Sequence, residues 1–256
     1  MNEHESSQFR LGQPVSVSRQ ISFSQNTNAF SLPEITSRPF RYENLFIGDV
    51  DQGGSCNVDI LDFCPHNLTH LETSAHILRH SISSSYISDI PVDHLQGIVY
   101  LADLTSSLDE QSSLIPPTIV DVILKSLNIP INALALKTSA SNLPENYDFS
   151  NKNFLALDPR SALLLNNYNS NNSSINCLLL DLPSTDAEHD GGKLLAHRAF
   201  FGLPSSGIDF VDLQKRVIIE LAFFKELVQN YYYFITTPAR IQSNAIITDI
   251  VFFPLL

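Results

Sequence analysis

Three histidines and one glutamate fall within an eleven-residue stretch of this 256-residue chain: His66, His70, Glu72 and His76. Neutral imidazole and carboxylate offer lone pairs without a soft thiolate, which is the donor set of zinc, manganese or iron(II). All four positions share parity, so an extended chain would turn them to one side. On a helix, His70 and Glu72 would point about 200° apart, which excludes the helical His-Glu-x-x-His zinc arrangement. At ~3.3 Å per residue, a straight strand cannot bring His66 and His76 to one ion. The chain is therefore expected to curl near Pro65 or past Glu72, leaving one of the four for a different task. The isolated His4, His80 and His94 read as ordinary core or surface residues, and His189, between Asp186 and Asp190, reads as part of a solvated loop.

Something must position these side chains, and the pattern of apolar residues marks what. Alternation over Asn57–Phe63 predicts a strand, Gly97–Leu104 and Asn132–Thr138 read as further strands, and Cys177–Leu180 is a short apolar one. The last third alternates the apolar runs Val217–Ile219, Tyr231–Ile235 and Ala245–Phe253. Helices are expected over Pro117–Leu127, where Ile119, Ile123 and Leu127 recur at i, i+4, i+8 behind a first-turn Pro117. Two more are expected around Pro159–Leu165 and from Gly192 through His197. The Asn/Ser-rich segment Asn166–Ser174 is expected to be an exposed loop. Strands interleaved with helices favour an α/β class. With no internal repeat or linker, residues 31–256 are expected to form one domain behind a flexible N-terminal arm, 1–30.

Composition narrows the function. Apolar residues make up 43% and charged residues only 16%, as in a folded protein with a real core. A net charge of −12 would repel a phosphate backbone or an anionic membrane surface, so neither nucleic acid nor membrane is an expected partner. No apolar run approaches the ~20 residues of a membrane span. The first residues lack the apolar core of a signal peptide. The three cysteines form no Cys-x-x-Cys pair and no even framework. A soluble, cytoplasmic protein is the expectation.

At the histidine cluster the sequence resembles the cyclase family of metal hydrolases, which includes bacterial kynurenine formamidase. That family's signature is H-x-G-T-H-x-D-x-P-x-H. His66, Thr69, His70 and His76 match it, while Leu68 stands for the family's Gly, Glu72 for its Asp and Ser74 for its Pro. Ile90–Gly97 with Leu101–Leu104 resembles the family's strand after the motif. Asp181–Asp186 fits a D-x-x-S-x-D element, and His197 followed by Glu220 resembles a later His…Glu pair. The likeness runs from about residue 40 to the C-terminus.

The resemblance implies a single-domain swivelling β/β/α fold with a mixed, barrel-like sheet, a homo-oligomer (dimer or tetramer), and one or two divalent ions, zinc or manganese. It implies His66, His70 and Glu72 as metal ligands, His197 and Glu220 completing a second ion's shell, and His76 as the general acid/base. Asp186 belongs to a matching element without an assigned contact. The spacing from His197 to Glu220 exceeds the family's, with Gly202–Gln214 as an insertion, so Asp209 or Asp212 is an alternative to Glu220. The activity implied is hydrolysis of an amide, formamide or lactam bond of a small molecule by metal-activated water, with His76 moving the proton. Two other readings compete. A relative that binds metal without turnover would fit the changed Leu68, Glu72 and Ser74. A mononuclear iron oxygenase would use His70, Glu72 and His197 as its triad and expects an all-β jelly roll.

Overall fold

A computed structural model describes residues 10–20, 22–23, 27–81, 85–108, 112–170, 173–211 and 214–256. Among these described residues, nine strands make the principal sheet: β1 (Val15–Ser16), β2 (His70–Thr73), β3 (Gln96–Asp103), β4 (Ala133–Lys137), β5 (Cys177–Leu180), β6 (Val217–Glu220), β7 (Asn230–Thr236), β8 (Ala245–Ile247) and β9 (Ile250–Pro254). Their order is β1-β9-β7-β3-β4-β5-β6-β2-β8. The central β3-β4-β5-β6 block is parallel and the flanks are antiparallel. The mixed α/β, single-domain reading is borne out.

The parallel strands are apolar on consecutive residues because both of their faces are covered. Tyr100, Ala102, Leu134, Leu136, Leu178, Leu180 and Ile218 join one core with the helices α1 (Pro117–Ser126), α2 (Pro159–Asn167) and α3 (Leu195–Phe201). The alternate residues Val99, Leu101, Ala133, Ala135, Leu179 and Ile219 join a second core with Phe224, Phe234 and Phe252. Both helices expected near residues 117 and 159 begin on the prolines that pre-set their first turns, and the third forms just past Gly192.

The sheet curls into a half-barrel. The apolar run at 245–253 breaks at Thr248 and Asp249 into β8 and β9, which lie toward opposite ends of the strand order. Two strands three residues apart can occupy those places only if the ends approach one another. Thr236 and Thr248 hydroxyls meet at 2.6 Å at that closure, and the Arg19 amide reaches Thr69 Oγ1 at 2.9 Å.

Gly97 is required where β3 begins. Its φ is +139°, and a Cβ there would lie 2.3 Å from Asn132 Oδ1, the atom that accepts from the Ile98 amide.

Some expectations need revision. The strand expected at 57–63 forms as Asp59–Asp62, but it pairs with Thr36–Pro39 outside the principal sheet and leaves Leu61 half exposed. The Asn166–Ser174 loop instead continues α2 and then pairs Asn169–Ser170 with Ser173–Ser174. Ser173 is buried because its hydroxyl bonds both the amide and the carbonyl of Ile131, a local polar network that composition does not reveal. Of the segment expected as an arm, Val15–Ser16 pair with β9. His4 and Asp212 lie outside the described residues.

Candidate metal centre

The curl, expected near Pro65 or past Glu72, occurs on both sides of the strand. A single 3₁₀ turn at Pro65–Asn67, opened by the proline, carries His66, and a second at Ser74–His76 carries His76. Between them β2 presents His70 and Glu72 on one face, two residues apart. β2 is paired on both edges, with β6 and β8, and both side chains are fully buried. The register sets His70 opposite Glu220. Leu68, where the resembled family has glycine, has an extended backbone (φ −130°) open to any residue, and its side chain is buried.

His66, His70, Glu72 and Glu220 each offer a ligand atom, and these atoms lie within 4.8 Å of one another. His66 Nδ1 is 2.9 Å from His70 Nε2. Glu72 Oε2 stands 3.6 Å from His66 Nδ1, 3.7 Å from His70 Nε2 and 4.0 Å from His76 Nε2. Glu220 Oε2 is 3.5 Å from His70 Nε2. The second ring nitrogen of His70 faces the Leu68 carbonyl at 2.8 Å. A carbonyl only accepts, so Nδ1 carries the proton and Nε2 presents its lone pair inward.

His197 stands on the other side of the two glutamates. Its Nε2 is 2.6 Å from Glu72 Oε1 and 3.4 Å from Glu220 Oε1, while Nδ1 meets Asp186 Oδ2 at 2.7 Å. Asp186 also accepts from the Ala196 and His197 amides, which fixes the start of α3. Glu220 Oε1 is held by Thr185, through its amide at 2.5 Å and its hydroxyl at 2.8 Å. The alternative ligand Asp209 is not in the site: it is exposed and paired with Arg79 at 2.9 Å.

Without an ion the imidazoles and carboxylates of the centre shift one another's proton affinities. Burial, with His70 next, brings His66 down to about 3, so its ring is neutral and available as a donor. Burial would lower His70 and His197 as well, but the carboxylates around them outweigh it and raise both. Burial would raise Glu72, yet the surrounding imidazoles hold it well below the usual carboxylate range.

Among the described residues, both Glu72 oxygens and His197 Nε2 are buried with no partner beyond their close ion-pair contacts with one another and the neighbouring imidazoles. Buried polar atoms are ordinarily satisfied, and these converge on one space ringed by further nitrogen and carboxylate donors. Two imidazoles and two carboxylates suit a zinc- or manganese-class divalent cation, so the residues fit a metal.

His76 sits at the rim with its side chain 27% exposed, its ring 4.7 Å from that of His66. A pocket of about 300 Å³ opens beside it, walled by Phe30, Leu32 and Leu194 on the apolar side and reaching His66, His197 and Glu220.

Sequence reasoning assigned no role to Thr185 or to the Leu68 carbonyl, and no contact to Asp186. The signal for Thr185 and Asp186 was their place in a polar run directly after the buried strand β5. His80 and His94 stand apart from the centre: His80 stacks on Tyr86, and His94 faces the Lys215 carbonyl.

The curled mixed sheet backed by helices is a fold that this chain shares with solved structures described as metal-dependent hydrolases and cyclases. The chain shares the fold of a predicted metal-dependent hydrolase from Bacillus stearothermophilus (16% identity, TM-score 0.65, covering 94% of this chain and 98% of that one). It likewise matches isatin hydrolase A from Labrenzia aggregata bound to benzyl benzoate (12%, TM-score 0.67, 94% and 93%) and an isatin hydrolase bound to the product analogue thioisatinate (13%, TM-score 0.65, 95% and 93%). No protein-family model matches the sequence, and no curated protein does. The jelly roll that an iron oxygenase would require is not the fold observed. Among the described residues, no helix is long and apolar enough to cross a membrane.

Proposed function

We propose that the protein is a metal-dependent hydrolase that cleaves an amide, formamide or lactam C–N bond of a small molecule, in the manner of kynurenine formamidase. The observation that carries this reading is the convergence of ligand atoms from His66, His70, Glu72 and Glu220 within 4.8 Å of one another, in a buried space where Glu72 and His197 have only ion-pair contacts. A divalent ion held there supplies Lewis acidity toward a carbonyl and lowers the pKa of a water. His66, His70, Glu72 and Glu220 would hold it.

The remaining groups do the protein's share. His76, half-open to the pocket, takes a proton from the attacking water and returns it to the departing nitrogen, a cycle suited to a side chain that both accepts and donates a proton. Asp186 fixes His197, and Thr185 fixes Glu220, so neither reorients as charge develops. Phe30, Leu32 and Leu194 keep the wall above the centre apolar and limit competing water. Glu72, one methylene longer than the aspartate of the resembled motif, spends that length in reaching His197. A homo-oligomer is part of the same reading, supported by the resemblance in the histidine motif, and so is a cytoplasmic location, supported by three cysteines that form no paired framework.

Elemental analysis of protein purified without added metal, beside a His70→Ala variant, tests the proposal. One or two equivalents of zinc or manganese in the wild type, lost in the variant, together with turnover of a formanilide or lactam, is the expected result. Absence of stoichiometric metal from both overturns it. Full metal loading without turnover of any such bond would favour the non-catalytic relative instead.

A further inference from the structure

The element Asp181–Asp186 leaves β5 and is anchored at both ends. Asp181 accepts from the Thr138 amide at 2.7 Å and hydroxyl at 2.8 Å, and from the Ser141 amide at 3.0 Å and hydroxyl at 2.7 Å. Thr185 binds Glu220 through its amide and hydroxyl, and Asp186 holds His197 and the start of α3. Of the element's polar side chains, Ser184 alone is not spent on such an anchor. It lines the pocket above the metal centre, keeps 7% of its surface open, and is the one hydroxyl side chain among the described lining residues.

Ser184 Oγ accepts from the Asp186 amide at 3.2 Å. That bond takes a lone pair and fixes the oxygen, while the hydroxyl proton meets no acceptor among the described residues. Other donors of the pocket wall are engaged. The Gly192 and Leu194 amides both donate to Asp190, at 2.6 and 2.5 Å, and both nitrogens of His197 face carboxylates. Glu188, Asp190 and Glu220 also line the pocket, and as carboxylates they only accept. In hydrolysis of an amide, water adds to the carbonyl carbon and the carbonyl oxygen becomes an oxyanion. The carbonyl then re-forms as the C–N bond breaks and the nitrogen takes a proton. A donor fixed beforehand needs no reorganisation as that charge appears, and it acts on the rate because it binds the charged oxygen better than the neutral one.

We propose that Ser184 is a catalytic residue whose hydroxyl donates a hydrogen bond to the substrate's carbonyl oxygen as that oxygen gains negative charge. This deepens, and rests on, the hydrolase reading of the site. The tethers on Thr185 and Asp186 hold Oγ in place, and only the proton turns to meet the substrate.

The test uses the metal-loaded protein and three compounds: formanilide for turnover, phenyl methylphosphonate as a stable tetrahedral anion, and acetanilide as a planar neutral amide. Ser184→Ala should lower kcat for formanilide by about 10²–10³, with KM within about threefold of wild type and metal content unchanged by elemental analysis. By calorimetry the variant should bind the phosphonate at least about tenfold more weakly, while its affinity for acetanilide changes by less than about threefold. Unchanged phosphonate affinity in Ser184→Ala, or failure of wild type to bind the phosphonate, overturns the inference. So does an equal loss for both probes or a loss of metal, because a mere structural support for Asp186 and His197 would behave in that way. Turnover of formanilide by wild type with no change in Ser184→Ala sinks the role of Ser184 alone. Absence of turnover in wild type, with phosphonate binding that still depends on Ser184, sinks the hydrolase reading and leaves the hydroxyl as a donor to bound anions.

Discussion

Thr69 Oγ1 donates to the Leu221 carbonyl at 2.6 Å and accepts from the Arg19 amide at 2.9 Å. Thr69 precedes the metal-ligand candidate His70, and Leu221 follows Glu220, so this single hydroxyl ties together the two backbone segments that bring opposing ligands to the centre. Leu221 has a left-handed backbone (φ +54°), a strained conformation for a branched residue that needs such a tether.

Thr69→Val, close in shape, should therefore lower stability by about 1–3 kcal/mol by leaving buried backbone groups unpaired. It should also weaken zinc affinity about tenfold, although no ligand has changed. Thermal unfolding and metal titration read the two effects. Unaltered metal affinity would show that the tether serves the fold alone.

His76→Ala should reduce kcat/KM by about 10²–10⁴ and leave metal content as in wild type. His76 is the most exposed of the histidines around Glu72, and its nearest oxygen there, Glu72 Oε2, is 4.0 Å away. Rate measurement beside elemental analysis checks this, and loss of metal in the variant would place His76 among the ligands instead.

The Asp186–His197 pair should give the metal-stripped protein a pH window of added stability. Burial pushes Asp186 up, but His197 and the amides of Ala196 and His197 outweigh it, so its folded value is depressed. Its contribution is therefore present above the ordinary aspartate value of about 4 and is lost as pH falls through the lower folded value. His197 is raised, so its contribution is present below its ordinary value of about 6.5 and is lost as pH rises through the higher folded value. The difference in Tm between wild type and Asp186→Asn should be largest between those limits and shrink on both sides. A difference that stays constant from pH 3 to 9 would remove the pair as its source.

Gly97→Ala should destabilise by about 1–3 kcal/mol or more, since φ is +139° and the added Cβ meets Asn132 Oδ1 at 2.3 Å. Urea unfolding measures it. A neutral result would mean that the β3–Asn132 junction relaxes freely.

What the sequence disclosed and what it concealed follow from the range of the interactions. His66, His70, Glu72 and His76 lie in one short segment, and parity with one proline was enough to anticipate a curl. Strands β4, β5 and β6 were legible because both faces are buried and their residues are continuously apolar. The partners of those residues were not legible. The pairing of His70 with Glu220 is a register between distant strands, and Thr185 reaches Glu220 from a loop that carries no periodic pattern. Asp186 looked like a motif residue, but its contact depends on where α3 starts, and that in turn depends on the Asp190 turn. The split at Thr248–Asp249 was hidden because β8 and β9 are both apolar, and only closure of the sheet separates them.

The β2–β6 pairing also bears on when the centre comes into being. His70 and Glu220 meet only after the intervening crossovers through β3, β4 and β5 have been laid down, since β6 joins the sheet beside β5. Contacts of such large sequence separation form late and slowly, because loop-closure entropy must be met first. An ion added to the unfolded chain would find only the local trio of His66, His70 and Glu72 and could not template the rest. Metal acquisition should thus follow chain collapse, acting as a lock on the finished fold, and the newly made apo-protein must be stable enough by its own packing to wait for it.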